Sequence, residues 1–297
     1  MSSKPLIALL FVPASDKAKL EKLGTLPGSG VILDLEDAVA RSAKSQARVN
    51  AAGTIAAHTG DAQIWVRVNP ESSGLLESDL NAVVQPGIAG IDIPKVESPD
   101  QILHVSDIIE QLEFDTRMSP GSIRIMATIE TALGVGRVDE IAGVASPRLE
   151  CLGFGTGDFC LDIGIDTDPE SPTVIAAKVA VVLASRRARL HPPHDSVYIN
   201  FDDPAGLEAD TLRGKRLGFL GKHAIHPSQI SIIERVYLPT PAEVERARRI
   251  VETFEAAEQA GQAAIGFNGE LVDYPLAERS RRLLALAGDM SPAEKSQ

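Results

Sequence analysis

Eight short runs rich in Val, Ile and Leu punctuate the chain, at residues 6–12, 31–35, 63–68, 88–93, 123–129, 149–154, 196–201 and 222–225. They are nearly continuous in apolar residues, as strands buried on both faces of a parallel sheet should be. Their spacing of roughly 30 residues is that of the repeating unit of a (β/α)₈ barrel. Between them lie helical patterns at 16–23, 44–57, 102–112, 172–189 and 204–217. Ser98, Pro99 and Asp100 show how one of these starts, with an N-cap serine followed by proline at the first helical position.

After the eighth run the pattern changes. Pro239-Thr240-Pro241 leads into a charged helix at 242–259, a glycine-containing stretch at 261–269, a last helix at 276–287 and a polar tail. The predicted fold class is therefore α/β, a TIM (β/α)₈ barrel over residues 1–236 with a C-terminal helical extension or lid over 237–297. The stretch 191–194, His191-Pro192-Pro193-His194, reads as a loop.

The composition fits an ordinary globular chain of 297 residues, with 44% hydrophobic, 24% charged and only 4% aromatic residues. Asp plus Glu number 41 against 29 Lys plus Arg, a net charge of −12, which argues against a nucleic-acid partner because phosphate binding needs a basic surface. An anionic ligand then needs a local positive pocket. The N-terminal apolar run is too short for a signal peptide, and the run at 174–184, broken by Lys178, is shorter than the roughly 20 residues that span a bilayer. With only Cys151 and Cys160, buried thiols in a reducing cytoplasm are expected.

In a parallel barrel, chemistry gathers where strands end. The second run ends in Asp34, Glu36 and Asp37; the third carries Arg67 and Asn69; the fourth leads into Lys95 and Glu97. Glu130 follows the fifth, Asp158 the sixth, Asp202 and Asp203 the seventh, and His226 the eighth. Carboxylates crowded on one rim repel unless a cation compensates, and a hard divalent ion such as Mg²⁺ does so through one or two of them plus water and substrate oxygens. Glu130 and Asp158, next to glycines that leave room for a ligand, are the chosen pair. Alternation along a strand prevents Asp34, Glu36 and Asp37 from all facing inward. Arg67 either pairs with Asp34 or Glu36 or clamps a substrate carboxylate in two-point fashion. Lys95 invites a Schiff-base reading, though nothing in the sequence lowers its pKa. His223 and His226 lack the surroundings of a zinc motif, and a strand-end histidine before proline reads as a structural hydrogen-bonder. No phosphate-binding P-loop and no GxGxxG turn is present.

These segments carry a resemblance: Leu10-Phe11-Val12-Pro13, the stretch from Val31 through Asp34, Glu36 and Asp37 to Val39, Arg67-Val68-Asn69, Pro94-Lys95-Val96-Glu97-Ser98, Ile129-Glu130-Thr131-Ala132, Gly155-Thr156-Gly157-Asp158, Gly218 to Lys222, Ile225 to Gln229, and Val272-Asp273. In this order they resemble the HpcH/HpaI aldolase and citrate lyase family, over roughly residues 6–288, with the citrate lyase beta-subunit-like lyases nearest. The resemblance implies a homotrimer or hexamer and a Mg²⁺-dependent carbon–carbon lyase. Its substrates would be acyl-CoA thioesters such as malyl-CoA or citramalyl-CoA, cleaved to acetyl-CoA plus a 2-keto acid. It further implies Glu130 and Asp158 as metal ligands and Arg67 as substrate clamp, with Glu36, Asp37 and Glu130 also facing substrate. Asp273 would be the acid/base group, presented from a neighbouring subunit. Where many relatives carry arginines, this chain has Ile7, Asp16 and Lys178. Guanidinium groups at the expected thioester end are thereby missing. Alternatives are a CoA-independent pyruvate-type aldolase, a citrate lyase beta subunit acting on a carrier-protein thioester, and a silent assembly protein.

Overall fold

The computed structural model describes residues 6–25, 30–267 and 269–288. The polar tail and the first five residues lie outside them. Eight parallel strands close into a barrel in chain order: β1 (Ala8–Pro13), β2 (Gly30–Asp34), β3 (Gln63–Arg67), β4 (Ile88–Ile93), β5 (Arg124–Ile129), β6 (Leu149–Phe154), β7 (His194–Asp195) and β8 (Gly221–Ala224). Helices such as Lys44–Ala57, Pro99–Asp115, Pro172–Arg187 and Pro204–Leu217 connect them. Ser98 caps the second of these in a reciprocal box with Gln101.

Side chains fill the barrel in layers. Leu9, Ile32, Trp65, Met126 and Cys151 form an apolar layer on alternate inward positions. Two residues further along β2, β3 and β5 the filling turns polar, with Asp34, Arg67 and Thr128. Here Asp34 is in register with Arg67, and Arg67 with Asp92, so three charged residues stand level on adjacent strands. The apolar layer is the floor on which the polar one rests; truncating a buried Leu or Ile there to Ala costs about 2–5 kcal/mol.

The seventh strand is not at 196–201. It is the short β7, whose His194 pairs with Gly153 and Gly221. The alternating run after it leaves the sheet: Ser196 accepts a hydrogen bond from Thr156 N (2.9 Å), Asn200 turns the chain, and Ile199 and Phe201 are exposed. His194 accordingly belongs to the sheet and not to a loop.

The chain divides into two compact units, with the boundary between Glu234 and Arg235. In the second, helix Pro241–Gln259 starts at a Thr240–Glu243 capping box, and helix Tyr274–Leu286 closes the unit. Between them, from within the glycine-containing stretch to just past it, lies an antiparallel pair, β9 (Ala264–Phe267) and β10 (Glu270–Asp273). Ile250, Phe254, Val272 and Ala277 are its core. No described helix is long and apolar enough to cross a membrane.

Candidate active site

The C-terminal rim of the barrel gathers Glu36, Arg67, Lys95, Glu130 and Asp158. Arg67, at the end of β3, donates from Nε and Nη2 to the two oxygens of Asp34 (2.8 and 2.7 Å). Its guanidinium lies over the Phe11 ring, 4.5 Å from the centroid. Asp34 is fully buried, and its oxygens also accept from Glu36 N and Ala38 N. Burial pushes its carboxyl up, but Arg67 and these N–H groups outweigh burial and hold it below the ordinary aspartate value. One edge of the Arg67 fork is thus committed to Asp34. This is the pairing with Asp34 that the sequence left open for Arg67, and Nη1, on the other edge, stands 3.2 Å from Glu36 Oε2.

Glu36 is inward and buried, whereas Asp37 is 60% exposed, so alternation sorts the two acids as expected. Glu36 Oε1 accepts from Lys95 Nζ (2.5 Å), while Oε2 is buried without a hydrogen bond. Burial raises its pKa against the pull of Arg67 and Lys95. The loop bearing Glu36 is pinned from behind. The buried Lys44 spends three donors on Leu35 O, Glu36 O and Asn69 Oδ1 (2.7, 2.6 and 2.7 Å), and Asn69 is held in turn by Asp79. Three acceptors saturate an ammonium.

Glu130, at the end of β5, is buried, and its Oε1 accepts from Lys95 N (2.9 Å). Burial, reinforced by Asp158 and Glu36, raises its pKa to about 8 against Lys95 and Arg67. Asp158 sits in the first turn of helix Thr156–Ile163, and its Oδ2 meets Lys95 Nζ at 2.9 Å. Gly155, one residue past β6, leaves the space that Glu130 fills: a Cβ there would lie 2.7 Å from Glu130 Cβ and collide with its carboxylate. Among the described residues no cluster of three or more His, Cys, Asp or Glu closes around a metal. Two hard carboxylates after adjacent strands, Asp158 partly exposed to solvent and Glu130 destabilised by its like-charged neighbour, suit an ion that keeps water and substrate oxygens, as Mg²⁺ does. The residues fit that ion.

Lys95 offers no Schiff-base nucleophile. Burial draws its pKa down, but hydrogen bonds to Glu36 and Asp158 outweigh this and hold the ammonium above the ordinary lysine value. Asp92 escaped the sequence reading. It is fully buried, accepts from Thr128 Oγ1 (2.6 Å), and burial raises its pKa to about 7. His223 faces into the barrel against Phe11, whereas His226 caps the turn at Ser228 (3.2 Å) as a structural group. Asp203 caps helix Pro204–Leu217.

The positions lacking arginines fall at different places in the fold. Ile7 precedes β1, six residues before its rim end at Pro13, about 20 Å of extended chain away, so an arginine missing there removes nothing from the rim. Lys178 is buried against Asp195 (2.7 Å), a structural pair continued by Lys222 and Asp210. Asp16 caps helix Lys17–Leu20. In the second unit Asp273 caps the last helix, its Oδ1 accepting from Leu276 N (3.1 Å).

A parallel barrel with a rim of carboxylates around one arginine defines an enzyme scaffold of the metal-assisted aldolase type. Residues 8–227 match the HpcH/HpaI aldolase/citrate lyase family, and the chain belongs to it. The citrate lyase subunit beta of Escherichia coli K12 is 34% identical over 281 residues, covering 94% of this chain and 92% of that protein. The mitochondrial citramalyl-CoA lyase of Mus musculus is 31% identical over 293 residues, covering 95% and 86%. The structure of CitE from Mycobacterium tuberculosis, in complex with magnesium, acetoacetate and coenzyme A, superimposes with a TM-score of 0.75 over 97% of this chain and 99% of that one. At 24% identity this likeness carries the fold alone.

Proposed function

We propose that the protein is a Mg²⁺-dependent carbon–carbon lyase that cleaves, or forms, a 3-hydroxyacyl-CoA such as malyl-CoA or citramalyl-CoA, giving acetyl-CoA and a 2-keto acid. The observation that carries this reading is the pair Glu130 and Asp158 beside Arg67, in a family whose relatives include proteins named citrate lyase subunit beta and citramalyl-CoA lyase.

Glu130 and Asp158 would hold Mg²⁺, which when bound supplies a Lewis acid that polarises the oxygen destined to become the keto carbonyl. In cleavage the substrate hydroxyl loses its proton to a base, its C–O bond becomes C=O, and the adjacent C–C bond breaks. The electron pair passes to the thioester as an enolate. Arg67, buried to 15% exposure and fixed by Asp34, places positive charge where the enolate oxygen develops. Protonation of the enolate carbon then gives the acetyl thioester. Asp273 is the acid/base residue in this reading, supplied by a neighbouring subunit of a homotrimer or hexamer. Leu161, Ile199 and Phe201, exposed on segments that follow β6 and β7, give the barrel unit an apolar rim suited to such a neighbour. Two buried free cysteines accord with a cytoplasmic setting.

A second reading is favoured by the relatives named citrate lyase subunit beta: the thioester is borne by a carrier protein instead of CoA. The test is to offer the purified protein citramalyl-CoA and malyl-CoA, the corresponding free hydroxy acids, and the thioester on a carrier protein, each with Mg²⁺, and to follow keto-acid release. Release from the CoA thioesters supports the leading reading. Release from the free acids alone supports a CoA-independent aldolase, and release from the carrier thioester alone supports the second reading.

A further inference from the structure

Lys95 has a backbone φ of 52°, in the left-handed region that residues with a Cβ seldom occupy. Such a conformation persists only where surrounding contacts hold it. Here the contacts are to the site itself. The backbone N–H of Lys95 donates to Glu130, and Nζ reaches Glu36 (2.5 Å), Asp158 (2.9 Å) and, at 3.6 Å, Asp37. One residue therefore joins carboxylates that follow β2, β5 and β6.

We propose that Lys95 is a built-in counter-cation: its ammonium neutralises Glu36 and Asp158 in the metal-free chain and competes with the divalent ion for Asp158. This rests on the reading of Glu130 and Asp158 as Mg²⁺ ligands. Asp34 is matched by Arg67, which also lies 3.2 Å from Glu36, whereas Lys95 is the cation that reaches Asp158 and, further off, Asp37. Mg²⁺ held by Asp158 would share that carboxylate with the Lys95 ammonium, which stands 2.9 Å from its Oδ2, and at the effective dielectric of such a site the repulsion between the two cations is substantial. A keto acid arriving with the ion brings a carboxylate that offsets the repulsion. Metal and anionic ligand then bind together better than either alone.

The alternative is that Lys95 merely orients Asp158, as groups hydrogen-bonded to metal ligands commonly do. Loss of such an orienting group weakens metal binding by about 10–100-fold. The two roles predict opposite signs. The test is a calorimetric titration of the full chain with MgCl₂ alone, comparing wild type with Lys95→Met, Lys95→Gln and Lys95→Arg, after circular dichroism has shown each variant folded. A counter-cation gives about tenfold tighter Mg²⁺ binding in both neutral variants, with Lys95→Arg near wild type because it keeps the charge. Added pyruvate tightens Mg²⁺ binding in wild type and does so less in the neutral variants. Equal or weaker binding in the folded neutral variants, with wild type still binding, overturns the counter-cation role alone. No binding by any of the four proteins overturns both this role and the metal reading.

Discussion

Asp34 and Arg67 stand in register on β2 and β3 and are joined by two hydrogen bonds through the Nε–Nη2 edge of the guanidinium. The pair fixes the direction in which Nη1 presents charge to the rim. Removing one partner of a buried pair leaves the other uncompensated, so Arg67→Met is expected to lower stability by about 3–5 kcal/mol in urea denaturation. Arg67→Lys keeps the charge but not the fork. It should retain more of the stability than Arg67→Met while keto-acid release falls at least about 100-fold. Release near the wild-type rate from Arg67→Lys would show that the fork geometry does not matter.

Gly155 and Glu130 share one space. Gly155→Ala displaces Glu130, because the added methyl would lie 2.7 Å from Glu130 Cβ and collide with its carboxylate. Calorimetric Mg²⁺ affinity should fall by about tenfold or more, comparable to loss of a ligand's support. The helix carrying Asp158 remains anchored by Thr156 N to Ser196 Oγ, so the fold should survive, with an unchanged far-ultraviolet circular dichroism spectrum.

Away from the rim, Glu113 ties the end of helix Pro99–Asp115 to the start of β5. It accepts from Arg148 at two points (2.9 and 2.6 Å) and from Gly121 N and Ile123 N. Burial opposes ionisation, but Arg148 and these N–H groups hold its pKa down to about 2, against an ordinary 4.5. Because the folded-state value is the lower one, the stabilisation is complete above about pH 4.5 and is lost as pH falls towards 2. Glu113→Gln should therefore cost roughly 3 kcal/mol at neutral pH, with the gap to wild type closing across that window in urea midpoints. A gap independent of pH would contradict the assignment.

If Asp273 acts in a neighbouring subunit's site, inactive Asp273→Ala and inactive Arg67→Ala chains should regain activity when mixed under conditions where subunits exchange. A mixed oligomer can contain sites with both residues intact, so recovery to roughly a quarter of wild type or less is the scale to look for. Exchange demonstrated by mass spectrometry without recovery would place Asp273 outside the shared chemistry.

The barrel was legible because buried parallel strands are written as apolar runs, and seven of the eight runs overlap strands. The seventh misled because Ser196 to Phe201 alternates like a strand while its hydrogen bonds go to the rim and to a turn. The β9–β10 pair was missed because its strands are short and mostly exposed, leaving no strong apolar pattern. Glu36, Arg67, Glu130 and Asp158 were legible from their strand-end positions. Asp92 was not, being read as part of an apolar strand; its signal was the alternation that places it two residues after Gly90, level with Arg67. Lys95 was seen only as a nucleophile, because no sequence pattern reveals that one ammonium and its own backbone N–H reach carboxylates from three other strand ends. Lys178 was matched by motif position to an arginine of relatives, whereas its partner Asp195 lies on the short strand that the run at 196–201 concealed.

That Glu130 and Asp158 together hold a catalytic Mg²⁺ is the proposal on which the lyase reading rests. It is tested most directly by stripping the protein with EDTA and titrating Mg²⁺ back while following keto-acid release from citramalyl-CoA and malyl-CoA, in wild type, Glu130→Gln and Asp158→Asn. Saturable restoration in wild type and at least about a 100-fold loss in each variant are expected. Undiminished release after stripping, or full turnover by Glu130→Gln, would contradict it.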